Sequence, residues 1–345
     1  MMNQVIRSSI TLVAGVVIFG TVLPLVGSRA QAASSCQASV SSNQRCCTPD
    51  LTPTWWCAAD QLTAQVGGCA MDSGNGVNTG GTLYTCDTVA QASASGVYEQ
   101  KIKELASNSA CAAYSWKNRG RAPAGYIEGM ALSFGRNLCR LERGSNVLSS
   151  TQVMSKANTG VTGKDVLAWY APVFNQKGFS IDTAGALSLR SLFSVQIGLG
   201  MRESSGNYCT GWDTSAGSNR ASSAAEAGPF QTSYDSFGAS PELQKLYSYY
   251  QANPDKCWLN VFKQGASCSS QSILGTGAGA TYQRFIKSCP AFAADSAAVT
   301  LRVLRTHFGP IIRKQAEVNT NCGLMLNEVR SFIDQDPANA CADLL

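Results

Sequence analysis

The sequence predicts an all-α body preceded by an export signal and a small disulfide-rich, loop-rich appendage. Three observations carry this. Apolar residues recur at helical spacing from about residue 95 to the end of the chain. Six of the fourteen cysteines crowd between Cys36 and Cys86. The first 32 residues have the charge and hydropathy pattern of a signal peptide. The expected divisions are residues 1–32, 33–94 and 95–345.

Arg7 and the amino terminus make a positive start, and Ile10 to Val26 is apolar but broken by glycines and Pro24. Ala30-Gln31-Ala32 supplies the small-x-small pattern of a cleavage site, so the mature chain is expected to begin at Ala33. The run is short and interrupted for a transmembrane helix, and no stable membrane insertion is expected after cleavage. A lipid anchor on Cys36 lacks the usual preceding leucine, because Ala33-Ser34-Ser35 stands there. The expected location is secreted or periplasmic.

Fourteen cysteines, an even count in an exported chain, are expected to form up to seven disulfides. None sits in a C-x-x-C pair and the chain has one histidine, His307, so neither a metal site nor another cofactor is expected. Net charge is +5 without a long run of lysine or arginine. That is too mild for nucleic acid, but it favours approach to an anionic polymer such as a cell wall.

From Cys36 to Cys86 the spaces between cysteines are filled by glycine, serine, threonine and asparagine, as in "MDSGNGVNTGG" (71–81), with no helical period. Trp55 and Trp56 are expected to form a mini-core beneath the disulfides rather than an exposed stacking surface for sugars.

The helical elements then follow in order. "VYEQKIKELAS" places Tyr98, Ile102 and Leu105 on one face. "GYIEGMALSFGRNLCRL" does so with Ile127, Met130, Phe134, Leu138 and Leu141. "SPELQKLYSYY" has Ser240 as N-cap, Pro241 at the first helical position, and Leu243, Leu246, Tyr247 and Tyr250 on one stripe. "SAAVTLRVLRTHFGP" carries Ala297, Leu301, Leu304 and Phe308 at helical spacing and is expected to close at Gly309-Pro310. "NEVRSFI" continues the pattern. One stretch, "LSLRSLFSVQIGLGM" (187–201), alternates almost strictly, as a strand would. It is also apolar enough to be a helix buried on nearly every side, and local pattern leaves the choice open.

Most chemistries can be eliminated. His307 lies in "RTHFGP" without a G-x-S-x-G elbow anywhere, so a serine triad is not expected and the histidine reads as structural. No P-loop or dinucleotide fingerprint appears in the right context. Carboxylate chemistry remains, and Glu203 in "GMRESSGNYCTGWD" stands where an apolar run gives way to a polar, glycine-bearing loop. A glutamate whose pKa is raised by apolar surroundings stays protonated near neutral pH and can protonate a glycosidic oxygen. A surface glutamate paired with Arg202 or Arg220 is the competing reading.

"ESSG" (203–206) followed by "AEAGPFQTSYDS" (225–236) resembles the lysozyme-like superfamily, specifically soluble lytic transglycosylases and goose-type lysozymes. The resemblance spans roughly residues 187 to 310. Gly228-Pro229-Phe230-Gln231 stands where the family has Gly-Leu-Met-Gln, and "VTLRVLRTHFGP" (299–310) is similar to a degraded form of its later "A-A-Y-N-A-G-P" helix. The loop between Glu203 and Gln231 is longer than usual and carries Cys209, which suggests a stapled substrate lip. The family's third-motif tyrosine is absent. The resemblance implies a lysozyme-like helical domain over residues 95–345, with Glu203 at the end of a buried helix, and this favours helix over strand for 187–201.

The resemblance also implies a substrate, peptidoglycan, and cleavage of its β-1,4 bond between N-acetylmuramic acid and N-acetylglucosamine, with Glu203 as general acid. A transglycosylase then uses the same residue as base. An inverting hydrolase needs a second carboxylate about 6.5–9.5 Å away to activate water. Asp213 is the first candidate for that role and Asp235 the next. Ser204 and Gln231 carry over as substrate contacts. Two alternatives remain: a non-catalytic glycan-binding protein with the same cleft, and the same chemistry on chitin or chitosan.

Overall fold

The computed structural model describes residues 96–142, 149–214, 219–269 and 271–345, and the backbone of two short strands before them. Contacts divide the chain into two units, Met1–Ala90 and Gln91–Leu345. In the first, β1 (Ala64–Gln65) and β2 (Gly68–Cys69) pair antiparallel, with Ala64 opposite Cys69. The expected signal peptide, the expected Trp55-Trp56 mini-core and the expected pairing of Cys36, Cys46, Cys47, Cys57, Cys69 and Cys86 lie outside the described residues.

The second unit is all-α apart from one small hairpin. It runs α1 (Val97–Ser107), β3 (Ser115–Trp116), β4 (Gly120–Arg121), α2 (Ala124–Glu142), α3 (Ser149–Ser155), α4 (Val166–Trp169), α5 (Ala171–Gln176) and α6 (Ala186–Ser204). Then come α7 (Pro241–Ala252), α8 (Leu259–Phe262), α9 (Gly277–Ser288), α10 (Pro290–Val303), α11 (Gly309–Ile312), α12 (Thr320–Gln335) and α13 (Pro337–Leu344). Among the described residues no helix is long and apolar enough to cross a membrane.

Helix α2 is the hub. It packs against α1, α3, α6, α8, α10, α12 and α13, which is why it is buried on every side from Gly125 to Arg140. Burying its polar residues requires partners. Asp295 of α10 supplies them: it pairs with Arg140 at 2.8 Å and accepts from Asn137 Nδ2 at 2.8 Å and from the Tyr250 hydroxyl at 2.7 Å. Arg136 donates to the Tyr250 hydroxyl and lies 3.9 Å from the centre of the Trp258 ring. One carboxylate thereby fastens α2, α7 and α10 together.

The stretch with strand-like alternation is helix α6. Its alternation survives in a helix because most of the other positions are also buried, and several of their polar groups donate to carbonyls of the chain. Ser188 donates to the Thr183 carbonyl at 2.7 Å, Ser191 to that of Ser180 at 2.7 Å, and Gln196 Nε2 to that of Ala294 at 2.6 Å. Two glycines admit neighbours where a side chain would not fit. A Cβ at Gly198 would stand 2.1 Å from the Glu317 carbonyl oxygen, and one at Gly200 would stand 2.1 Å from the Tyr126 hydroxyl.

The stretches expected to be helical, 97–107, 125–141, 241–250 and 327–333, lie within helices over 97–107, 124–142, 241–252 and 320–335, and the Ser240 hydroxyl accepts from the Glu242 amide at 3.3 Å as an N-cap. The expectation for residues 296–310 needs correction. Helix α10 stops at Val303, and Arg305–His307 is a 3-10 turn. Gly309-Pro310 opens α11 rather than closing a helix, since proline is tolerated in a first turn. The cause is long-range: the Arg305 amide leaves the helical pattern to bond the Lys164 carbonyl at 2.9 Å.

All eight cysteines after residue 96 are paired. Cys111–Cys322 ties the segment after α1 to α12, Cys139–Cys341 ties α2 to α13, and Cys257–Cys289 ties the turn before α8 to the start of α10. The fourth, Cys209–Cys268, belongs to the candidate site.

Candidate functional site

Helix α6 carries Glu203 out of the core in its last turn. The helix ends on a left-handed residue, Ser205 (φ 54°), followed by Gly206 (φ 76°), and the amides of Ser205 and Gly206 cap the carbonyls of Met201 and Gly200, each at 3.1 Å. The Ser-Ser-Gly after Glu203 is thus a helix terminator that fixes where the carboxylate leaves the core.

Residues 227–232 form a tight turn facing this helix end. Ala227 and Thr232 pair antiparallel through amide–carbonyl bonds of 3.0 and 3.2 Å around Gly228-Pro229-Phe230-Gln231. Gly228 (φ 79°) makes the bend and Phe230 is fully buried, its ring centroid 6.3 Å from that of Tyr126. The Ser204 hydroxyl reaches the Gly200 carbonyl at 3.0 Å and the Pro229 carbonyl at 2.8 Å, joining helix end to turn. Gln231 is likewise engaged by the protein: its Nε2 donates to the carbonyls of Gly228 (2.9 Å) and Gly211 (3.3 Å). Both residues are buried, and both shape the wall on which Glu203 stands.

The electrostatics single out Glu203. Burial pushes its carboxyl up to about 8, and the nearby Glu226 carboxyl adds to the rise. Arg313, Arg119 and Arg202 pull the other way without forming an ion pair to it among the described residues. The Arg119 guanidinium instead donates to the Arg202 carbonyl at 2.5 Å. The surface pair with Arg202 or Arg220 is therefore not what the chain builds; Arg220 acts on Glu226 instead.

Glu226 and His307 complete the cluster. Burial raises the Glu226 carboxyl; Arg220 opposes that rise and Asp213 reinforces it. His307 Nε2 lies 3.8 Å from Glu226 Oε1, and the imidazole also bonds the Gln231 carbonyl. Burial holds the imidazole below its usual pKa in spite of that bond. His307 thus sits against the carboxylate cluster. Asp213 is exposed and acts on Glu226, whereas Asp235 is exposed at the start of the 3-10 turn Tyr234–Ala239 and shifts neither glutamate.

The loop between Glu203 and Gln231 is fastened at one edge by Cys209–Cys268. Gly211 lies beside that staple, where a Cβ would meet the Ser272 amide at 2.5 Å. Among the described residues no group of three or more His, Cys, Asp or Glu side chains could hold a metal ion. The site can therefore present one protonated carboxyl at neutral pH, a second carboxyl close enough to influence it, and an imidazole held toward its neutral form.

Sequence reasoning did not single out Glu226. The available signal was that it is the only acidic residue between Asp213 and Asp235, one position before the turn that carries Gln231. No protein-family model, no curated protein and no solved structure matches the chain.

Proposed function

We propose that the protein is an exported cell-wall glycosidase that cleaves the β-1,4 bond between N-acetylmuramic acid and N-acetylglucosamine, with Glu203 as the acid. The observation that carries this reading is the Glu203 carboxyl, raised to about 8 at the end of a buried helix. At neutral pH it holds a transferable proton, which a glycosidic oxygen needs as its bond to the sugar breaks. The ionised carboxylate that results is then the base for the second half of the reaction. The resemblance of "ESSG" and "AGPFQ" to lytic transglycosylases and goose-type lysozymes supports the choice of polymer, and the disulfides suit an exported chain.

Glu226 is a better second carboxyl than Asp213 in this reading, because it influences Glu203 directly while Asp213 acts on Glu226. Ser204 and Gln231 serve as positioning residues, since their polar atoms hold the turn to the helix end.

The test is digestion of purified peptidoglycan by the mature protein, with mass analysis of the products. Anhydromuramyl ends identify the transglycosylase route and reducing ends the hydrolase. Products from chitin or chitosan alone would move the chemistry to those polymers. Intact polymer in all three cases would leave a glycan-binding protein and sink the enzymatic reading.

A further inference from the structure

Three guanidinium groups act on the place where Glu203 leaves helix α6. Arg119, Arg202 and Arg313 each pull on its carboxyl, yet none of them forms an ion pair among the described residues. Arginine stays charged at any working pH. Glu203, raised to about 8, is mostly neutral at pH 7 and so does not compensate them. Like charges gathered without a counter-ion repel one another, and the arrangement suits a ligand that brings the missing negative charge.

Two of the three are exposed and held in place. Arg119 belongs to the β3–β4 hairpin, where Asn118 (φ 59°) and Gly120 (φ 72°) make a left-handed turn on either side of it. The hairpin is fastened at its base. Trp116 is buried, the Lys117 amide donates to Glu317 Oε1 at 3.0 Å, and the Tyr114 hydroxyl donates to Glu317 Oε2 at 3.0 Å. From there Arg119 Nη2 donates at 2.5 Å to the carbonyl of Arg202, the residue before Glu203. Its other N–H groups have no partner among the described residues. Arg313 follows α11, which packs against α6. Its Nε donates to Gln315 Oε1 at 3.1 Å, and its guanidinium lies over Gly309, where a Cβ would meet Nη1 at 3.0 Å. Each arginine therefore keeps terminal donors of the planar fork that grips a carboxylate.

We propose that Arg119 and Arg313 are specificity-determining residues that bind a carboxylate on a substituent of the sugar chain beside Glu203. The inference rests on the reading of Glu203 as the acid of a glycan-cleaving site, and it adds how that site would choose its polymer. N-acetylmuramic acid carries a lactyl carboxylate, whereas chitin is uncharged and chitosan is cationic, so only the first brings the anion that the two forks lack. Arg121, on the same hairpin, is not among the groups that act on Glu203 and serves as an internal comparison.

Three soluble probes test it: peptidoglycan glycan strands stripped of their peptides, which keep the lactyl carboxylates; the same strands with those carboxylates converted to amides; and a chitin oligomer. Calorimetric binding is measured on the full mature protein carrying Glu203→Gln, so that no probe is consumed. The acid strands are expected to bind about tenfold more tightly, or better, than the other two. Adding Arg119→Gln and Arg313→Gln should remove most of that difference and leave the amidated strands within about twofold, whereas Arg121→Gln should change neither. If the double variant melts lower, the contrast between acid and amidated strands in the chain with all its arginines still decides. With Glu203 intact, at about pH 6, the double variant should raise KM for the acid strands about tenfold with kcat nearly unchanged. Removing positive charge only raises the Glu203 carboxyl further and leaves it protonated there. Cleavage that is indifferent to amidation, or a double variant with unchanged KM, would overturn the inference while leaving Glu203 as the acid. Charge-dependent binding without cleavage of any probe would keep the two arginines as the carboxylate's partners and overturn the catalytic reading instead. No binding of the acid strands, or an equal loss from Arg121→Gln, which would reduce the effect to net charge, would also overturn the inference.

Discussion

His307 Nε2 stands 3.8 Å from Glu226 Oε1, yet the two do not form a strong ion pair at neutral pH. Burial lowers the imidazole pKa and raises the carboxyl pKa, so each is pushed toward its neutral form. Glu203 is biased the same way, by burial first and by Glu226 second. Three titratable groups thus share a partly dry corner in which burial disfavours the charged form of each, and Glu226 adds to the effect on Glu203. Perturbed groups gathered at the end of a buried helix are what acid–base chemistry requires.

Replacing Glu226 by glutamine removes the charge that helps to raise Glu203. The alkaline limb of the pH–rate profile, set by Glu203 near 8, should then move to lower pH, so activity falls more at pH 8 than at pH 6. If Glu226 also activates water, turnover falls across the whole range by roughly two orders of magnitude or more. An unmoved alkaline limb would separate Glu226 from the acid. Asp213→Asn, which acts one group further away, should shift the limb less.

Stability should carry the same signature. The Glu203 carboxyl is raised from 4.5 to about 8 in the folded chain, so the folded state binds more protons than the unfolded state between those values. Its contribution is fully present below pH 4.5 and is lost as pH rises through 8. Melting curves of wild type and Glu203→Gln should therefore diverge with rising pH, the variant gaining about 2–4 °C for each kcal/mol relieved. Parallel curves from pH 5 to pH 9 would show that Glu203 is not held protonated.

The staple Cys209–Cys268 spans 59 residues of chain and fixes one edge of the loop between Glu203 and Gln231. Changing both cysteines to serine should cost about 2–4 kcal/mol by freeing the unfolded chain. The loop also carries Gly211, whose carbonyl accepts from Gln231, so KM for polymer should rise more than kcat falls. Thermal melts and steady-state kinetics on the same preparation separate the two effects; a loss confined to kcat would place the staple's influence on the acid itself.

Much of the fold was legible because periodicity and caps are local. Ser240-Pro241 opens α7, Ile102 of the α1 stripe is buried with Tyr98 and Leu105 half-buried beside it, and Ile127, Met130, Phe134 and Leu138 of α2 are buried. Helix α6 was ambiguous because its serines, glutamine and glycines occupy buried positions that only tertiary partners can satisfy, such as the Ala294 carbonyl for Gln196. The end of α10 at Val303 was illegible for a similar reason, since a carbonyl some 140 positions earlier, that of Lys164, takes the Arg305 amide. In the site, Glu203 could be read from its place between an apolar run and a glycine-bearing loop. Glu226 and His307 could not, because no local pattern announces that a turn at 227–232 and a 3-10 turn at 305–307 meet.

Gly198 links the helix that carries Glu203 to the irregular segment before α12. A Cβ there would stand 2.1 Å from the Glu317 carbonyl and 2.8 Å from the Glu317 amide nitrogen, both backbone atoms that cannot rotate away. Gly198→Ala should therefore push α6 from residues 316–318 and destabilise the chain by at least 1–3 kcal/mol, the usual cost of overpacking. A variant as stable as wild type would mean that this contact is loose in solution.

The most direct measurement concerns Glu203. Glu203→Gln keeps size and polarity but removes the transferable proton, so turnover on peptidoglycan should fall by roughly two to four orders of magnitude. At pH 5 the wild-type residue is itself neutral, so the variant should melt at nearly the same temperature there and the lost activity cannot be blamed on unfolding. A structural glutamate would show the opposite pattern, with stability lost and activity following only the fraction unfolded. A surface glutamate would change neither. The products then distinguish the routes: if Asp213→Asn and Glu226→Gln both retain anhydro-product formation while Glu203→Gln abolishes it, one carboxyl serves as acid and then as base. If Glu226→Gln instead abolishes reducing-end products as completely as Glu203→Gln does, the second carboxyl is activating water.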